Sequence, residues 1–127
     1  MRILLDTHVL LWLLQDDPQL TEKARSVIAA AGEVYFSSVS IEEIAIKHSL
    51  KPSLMPSATG DVVSAAFKSG IKSIDFSYRH AVAVGELPWH HRDPFDRMLI
   101  AQARSDGFKL LSHDDFVIAY GDCVIGF

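Results

Sequence analysis

The chain has 127 residues, of which 49% are hydrophobic, so it is long enough for one domain with its own core and short for two, and we expect residues 1–127 to form a single domain. Its net charge of −4 argues against a broad basic face that neutralises many phosphates, although an acidic metal site would also make a nucleic-acid enzyme negative. The lone Cys123 excludes disulfide staples and cysteine-rich zinc sites, and because the chain lacks a signal-peptide core and any apolar run of membrane-spanning length, we expect a cytoplasmic protein.

Short apolar strands alternate with amphipathic helices along the chain. The first apolar run ends at Asp6, and a helix with apolar residues at helical spacing follows it until the break at Asp16. We predict strands at residues 2–5, 34–36, 71–74, 108–111 and 123–125. We predict one helix that begins at residue 7 and further helices at residues 21–31, 40–50, 60–69, 77–84, 94–106 and 114–119. Pro52 and Pro56 interrupt the chain after the helix at residues 40–50. This order predicts an α/β fold with three α/β/α layers around a central parallel sheet of four to five short strands.

Acidic residues follow the predicted strands. Asp6 ends the first strand, Glu43 lies one turn into the helix after the second, Asp96 lies in the first turn of the helix after Asp93-Pro94, and Asp114 follows the fourth strand. Open parallel sheets bind ligands beyond the carboxyl ends of their strands, so these four carboxylates can face one crevice. Each acid could instead serve only to cap a helix, which is worth about 0.3 to 1 kcal/mol.

A divalent cation is the economical explanation for the four acids taken together. Carboxylates crowded into one partly dry crevice raise one another's pKa unless a cation neutralises them. Oxygen ligands without thiolates favour Mg²⁺ or Mn²⁺ over zinc, and such ions commonly bridge carboxylates to phosphate oxygens. The pattern therefore favours metal-assisted phosphoryl chemistry.

Three segments carry a resemblance to a known family. The stretches Leu4–His8, Ser38–Lys47 and above all His91–Ala103 resemble those of PIN domains, and more narrowly those of VapC-type toxins. Leu110–Asp114 is similar to the segment that carries the family's fourth acid, and the resemblance covers essentially the whole chain. It implies a PIN-like fold, Mg²⁺- or Mn²⁺-dependent cleavage of RNA, a homodimer, and inhibition by a VapB-like antitoxin.

The resemblance also implies roles for individual residues. Asp6, Glu43, Asp96 and Asp114 become the catalytic, metal-binding acids, with Asp6 and Asp96 holding the principal ion. The supporting residues are Thr7, which we expect to assist Asp6 through its hydroxyl, Asp93 as a helix cap, and Ser112 as a cap of the turn after it. Glu42 stands where many relatives carry tryptophan, and Asp115 adjoins Asp114, but the register favours Glu43 and Asp114.

Other polar residues suggest an approach for RNA. Charge and stacking make Lys47, Trp89, Arg92 and Arg97 candidates for RNA contact. The adjacent His90 and His91 could join them, whereas metal ligation is not predicted for these histidines because they lack the i, i+4 spacing of a helical metal pair.

Rival functions remain open at this stage. A phosphotransferase with an aspartyl nucleophile needs a second aspartate two residues after the first, where this chain has His8. A non-catalytic module of the same fold could keep the acids as caps only, although retention of all four argues against it. A housekeeping RNA-processing nuclease would carry the same motifs as a toxin.

Overall fold

The computed structural model describes residues 1–55 and 57–127, which contain five strands and seven helices. The strands are β1 (Arg2–Leu5), β2 (Glu33–Ser37), β3 (Lys72–Ile74), β4 (Lys109–Ser112) and β5 (Val124–Gly126). The helices are α1 (Thr7–Leu14), α2 (Glu22–Ala30), α3 (Ser38–Leu50), α4 (Thr59–Lys68), α5 (Tyr78–Val84), α6 (Pro94–Asp106) and α7 (Asp115–Ile118).

The strands form one sheet in the order β3-β2-β1-β4-β5, and every neighbouring pair is parallel. The central strand β1 lies between β2 and β4, with Leu4 opposite both Tyr35 and Leu110. The chain moves outward from β1 to β3 on one side and continues from β4 to β5 on the other. This reversal creates a crevice beyond the carboxyl end of β1, where ligands bind in open parallel sheets.

Each face of the sheet packs on its own apolar core. Ile3 and Leu5 belong to the core that includes α1 residues, whereas Leu4 points to the opposite core, which includes α6 residues. Successive side chains of a strand alternate between faces, so the apolar run of β1 is buried on both sides. The predicted three-layer α/β/α fold with a parallel sheet of five strands is therefore confirmed.

Most element boundaries differ from the predicted ones by one or two residues. Helix α3 begins at Ser38, before the expected position, because the side chain of Ser37 accepts a hydrogen bond of 3.0 Å from the backbone amide of Val39 and caps the helix there. A short 3₁₀ turn at Pro52–Leu54 was not predicted, and Pro56 lies outside the described residues. Among the described residues, no helix is long and apolar enough to cross a membrane.

Candidate active site

Asp6 lies where β1 ends and caps the amino terminus of α1. It is buried, and both of its carboxylate oxygens accept hydrogen bonds, from the backbone amide of Thr7 at 2.7 Å and from the hydroxyl of Ser112 at 2.6 Å. Burial raises the pKa of Asp6, and the hydrogen bond from Ser112 partly opposes this rise. The predicted support from the hydroxyl of Thr7 is wrong, because that hydroxyl donates to Ser40 at 2.9 Å and Thr7 contacts Asp6 through its backbone amide.

Glu43 faces the same crevice from α3. Its side chain is 4% exposed, and its Oε2 pairs with Lys47 one turn later at 2.5 Å. Its Oε1 is buried and has no hydrogen-bond partner among the described residues. Glu42, the alternative in the sequence, is exposed to solvent.

Asp96 lies in the first turn of α6, whose amino terminus Asp93 caps by accepting a hydrogen bond of 3.1 Å from the Asp96 amide. Burial, followed by the negative charge of Asp6, raises the pKa of Asp96 to about 7. The carboxyl groups of Asp93 and Glu43 also raise this pKa. The carboxyl groups of three chain segments therefore act on one another across a short distance.

Asp114 follows β4 and caps α7 by accepting a hydrogen bond of 2.8 Å from the amide of Phe116. Its own amide donates to the hydroxyl of Ser112 at 3.1 Å, so Ser112 links the turn at Asp114 to Asp6. The side chain of Asp114 is 40% exposed, so Asp114 is the most accessible of the four acids. Its neighbour Asp115 is exposed and lies in α7.

One cavity of about 480 Å³ brings the four acids together. Asp6, Glu43, Asp96 and Asp114 all line it. Further polar lining is contributed by Asp93, Lys47 and His91. Lys47 supplies a positive charge among these acids: burial lowers its pKa, but the hydrogen bond and charge of Glu43 outweigh that effect and leave the pKa raised.

His91 is a member of this site that sequence reasoning missed. Its Nε2 lies 2.6 Å from Oδ2 of Asp96 and 3.9 Å from Oδ2 of Asp114. One available signal was its position two residues before Asp93, the cap of the helix that carries Asp96. The spacing rule for helical metal pairs does not apply to it, because His91 lies in a loop and meets its partners from another direction.

The aromatic part of the cavity lining was also missed. Trp12 lines the cavity together with His8 and His113, and the ring centroid of Trp12 lies 6.1 Å from that of each histidine. Phe127 packs against both Trp12 and His113. The helical spacing of Trp12 within α1 predicts only that it packs on the core.

The structure separates the four candidates for RNA contact. Lys47 lines the acidic cavity, whereas Trp89 and Arg92 lie at the surface and line a different one. Arg97 is 3% exposed, and its guanidinium group donates hydrogen bonds to the backbone oxygens of Val84 and Pro88. The interpretation of Arg97 as an RNA contact is therefore wrong, because its charged group is turned inward and fastens the loop before α6.

These residues fit a divalent cation. The unpartnered buried oxygen of Glu43 is a free ligand atom, and leaving it without a positive partner costs free energy. Burial is the main cause of the raised pKa values of Asp6 and Asp96, and neighbouring carboxylates add to the rise. A cation bound among these acids would favour their charged forms. The donor set is mainly carboxylate oxygen, which suits Mg²⁺ or Mn²⁺.

Solved structures of similar shape come from several bacteria. The chain is 17% identical to a chain of VapBC2 from Rickettsia felis bound to a promoter DNA fragment, with a TM-score of 0.69 and coverage of 100% of this chain and 98% of that one. For DNA-bound VapBC from Salmonella typhimurium the identity is 21%, the TM-score 0.64 and the coverage 89% and 86%. For FitAcB from Neisseria gonorrhoeae these values are 16%, 0.62, 93% and 91%.

The solved structures establish likeness of fold alone, and no curated protein matches the chain. The family model for the PIN domain matches residues 3–120, a range that contains all but the first residue of β1, the whole of β2 to β4 and all four acids of the cavity. Because this match covers nearly the whole chain, the protein belongs to the PIN domain family.

Proposed function

We propose that residues 1–127 form one PIN domain that acts as an Mg²⁺- or Mn²⁺-dependent endoribonuclease, and that it is the toxin of a VapBC-type toxin-antitoxin pair. The observation that carries the nuclease proposal is the convergence of Asp6, Glu43, Asp96 and Asp114 on one cavity, with Oε1 of Glu43 unpartnered among the described residues. Helix capping explains Asp6, Asp93 and Asp114 individually, but it does not explain why a buried glutamate inside α3 leaves an oxygen free.

Asp6 and Asp96 are the principal holders of the cation, because both are more buried than Asp114 and both have raised pKa values. A divalent ion held by these residues would supply Lewis-acid chemistry to the scissile phosphate and would lower the pKa of an attacking water. Ser112 orients Asp6 by donating to one of its oxygens. Glu43 and Asp114 complete the set of ligands or position the water, and Lys47 can attract the phosphate.

The aromatic side chains that line the cavity support a single-stranded nucleic acid, for which we propose RNA, as the substrate. Trp12, His8 and His113 line the same cavity as the four acids and lie close to one another. Aromatic side chains bind the splayed bases of single strands by stacking, and sequence-specific RNA recognition uses mainly such unpaired bases. Trp12 thus replaces Arg97 as our proposed contact with RNA, while Trp89 and Arg92 stay candidates at the surface.

The antitoxin and the dimer are parts of the same proposal. The similar solved structures include toxin-antitoxin complexes, one of them from Klebsiella pneumoniae, which supports an antitoxin partner for this chain. A VapB-like antitoxin would inhibit the enzyme by covering the acidic cavity. A homodimer follows from the resemblance to VapC-type toxins and is testable by sedimentation of the purified chain.

The decisive experiment incubates the purified chain, free of any partner, with RNA and with single-stranded DNA of the same sequence in Mg²⁺, Mn²⁺ or EDTA. The Asp6→Asn and Asp96→Asn variants remove charge with little change in shape and serve as inactive controls. We expect metal-dependent cleavage of RNA that both variants lose. Equal activity of wild type and variants would remove the nuclease proposal, and preferential cleavage of DNA would leave the nuclease and change its substrate.

A further inference from the structure

We propose that His91 is a ligand of the metal centre, so that this site combines carboxylate oxygens with one imidazole nitrogen. The inference rests on the proposed function, since it assigns a further ligand to the same ion. It is carried by the placement of Nε2 of His91 against two of the four acids, and by the contacts that hold the ring there.

The distances suit shared coordination. Nε2 of His91 lies 2.6 Å from Oδ2 of Asp96 and 3.9 Å from Oδ2 of Asp114. The ligand atoms of these three residues all lie within 4.8 Å of one another. Around an octahedral ion with bonds of about 2.1 Å, adjacent ligand atoms are about 3 Å apart and opposite ones about 4.2 Å apart. The separation of His91 from Asp114 already lies between these two values, and a shift of a few tenths of an ångström brings His91 and Asp96 to the adjacent distance.

The ring of Phe116 packs against one face of the imidazole ring of His91. The two rings stack with centroids 5.3 Å apart and an interplanar angle of 13°. The side chain of His91 is 15% exposed although it lies in a loop, whereas Phe116 is 62% exposed. A phenylalanine so open to solvent contributes little to the core, but it fixes the plane in which the imidazole meets the acids.

The backbone of His91 is held by a hydrogen-bonded network. Its amide donates to the hydroxyl of Tyr120 at 3.2 Å, and that hydroxyl donates to the backbone oxygen of Pro88 at 2.7 Å. Arg97 donates to the same hydroxyl at 3.1 Å. Buried polar groups of α6 and of Tyr120, two residues after the end of α7, thus fix a loop residue. Such support is typical of side chains that must keep a defined geometry.

A purely positioning role is the competing interpretation. In that case Nε2 of His91 donates to Asp96 and orients this carboxylate, but does not bind the ion. One finding favours direct ligation: the nitrogen that contacts Asp96 also lies 3.9 Å from Asp114, so an ion held by both carboxylates would lie within reach of His91. An imidazole ligand strengthens binding of Mn²⁺ relative to Mg²⁺, because nitrogen donors suit transition metals better than they suit Mg²⁺.

Pulsed electron paramagnetic resonance of the Mn²⁺-loaded protein tests ligation directly, since a nitrogen bound to Mn²⁺ modulates the electron spin echo. We expect a ¹⁴N modulation in the wild type that changes to the ¹⁵N pattern when the protein is grown with ¹⁵N-labelled histidine. His91→Gln should abolish it, whereas His8→Gln and His113→Gln should retain it. The labelled wild type gives a result even if a variant fails to fold.

Titration calorimetry supplies the second readout. We expect His91→Gln to weaken Mn²⁺ binding about 10-fold or more, in line with losses measured at other metal sites, and to weaken Mg²⁺ binding less. A wild type that binds Mn²⁺ without any nitrogen modulation would overturn the inference and leave the carboxylate nuclease intact. A wild type that binds neither ion would overturn the proposed function together with the inference.

Discussion

Ser112 donates a hydrogen bond of 2.6 Å to Oδ2 of Asp6 and so joins the carboxyl ends of β4 and β1 inside the candidate site. The same hydroxyl accepts from the amide of Asp114 at 3.1 Å. A buried serine therefore orients one acid and fixes the turn that carries another. Because this hydrogen bond lowers the pKa of Asp6, Ser112 also helps to keep that carboxylate charged.

Replacing Ser112 with alanine should weaken metal binding without unfolding the protein. A group that hydrogen-bonds a metal ligand typically accounts for about 10- to 100-fold in metal affinity, so we expect a loss of at least about 10-fold. Calorimetric titration with Mn²⁺ measures this loss. Ser73→Ala, at an exposed position of β3, is the matched control and should bind as the wild type does. Equal affinities of the two variants would contradict an orienting role for Ser112.

The raised pKa of Asp96 predicts how stability depends on pH. Its value rises from 3.8 to about 7 on folding, so the folded state binds the proton more tightly than the unfolded state does. The stability that this proton contributes is complete below about pH 4 and is lost as pH rises through about 7. For the metal-free proteins, we expect the melting temperature of Asp96→Asn to rise relative to that of the wild type as the pH is raised from 5 to 8.

Added Mg²⁺ should stabilise the protein more at high pH than at low pH, which is opposite to the effect of the proton on Asp96. The cation competes with the proton on Asp96, so its stabilising effect should be small at pH 5 and large at pH 8. Differential scanning fluorimetry at both pH values, with Mg²⁺ or EDTA, measures the effect. A rise in melting temperature with Mg²⁺ that is equal at the two pH values would show that the ion does not displace a proton from this site.

Arg97 should contribute to the stability of the folded protein. It is buried, donates to the backbone oxygens of Val84 and Pro88 and lies 3.8 Å below the ring centroid of Trp89. Arg97→Ala should lower the free energy of unfolding by about 3 kcal/mol, because a buried side chain is lost together with its charge-assisted hydrogen bonds to Val84, Pro88 and Tyr120. Urea denaturation measures this change. Arg92→Ala, at an exposed position, should change it by less than about 0.5 kcal/mol.

Trp12 should contribute to RNA affinity. Stacking of one base on an aromatic side chain is worth about 1 to 3 kcal/mol, so Trp12→Leu should weaken binding of a short single-stranded RNA about 10-fold. Fluorescence anisotropy of a labelled oligonucleotide, with Ca²⁺ in place of Mg²⁺ to limit cleavage, measures the affinity. Trp89→Leu is the comparison, since Trp89 is the other aromatic candidate for RNA contact, covers Arg97 and lies outside this cavity. A larger loss in the Trp89 variant would reassign the stacking surface.

The sequence predicts best those features that depend on neighbours along the chain. The position of Asp6 after an apolar run and the Asp93-Pro94 start of α6 each have a local cause, and the parallel order of strands brings their acids to one edge. The approach of His91 to Asp96 and the inward turn of Arg97 depend on the path of the loop before α6. That loop has no periodicity, so neither could be predicted from the sequence.

Gly126 makes a different kind of close contact, at the outer strand next to the site. A Cβ atom placed there would lie 2.7 Å from Cδ1 and 2.9 Å from Cγ1 of Ile118, so β5 and α7 pack closely only because residue 126 has no side chain. The contact bears on the site because α7 begins at the residue after its cap, Asp114. An added methyl group must push the Ile118 side chain aside, and we expect α7 to move with it.

Gly126→Ala should therefore destabilise the protein by about 1 to 3 kcal/mol, the usual cost of overpacking, and should also weaken Mn²⁺ binding through the displaced Asp114. Gly60→Ala is the matched control: a Cβ at Gly60, in the first turn of α4, meets no atom within 4 Å. Alanine there should be neutral or stabilise the helix by up to about 1 kcal/mol. If urea denaturation gave equal stabilities for the two variants, Ile118 would have to move without cost, and α7 would not depend on Gly126 for its position.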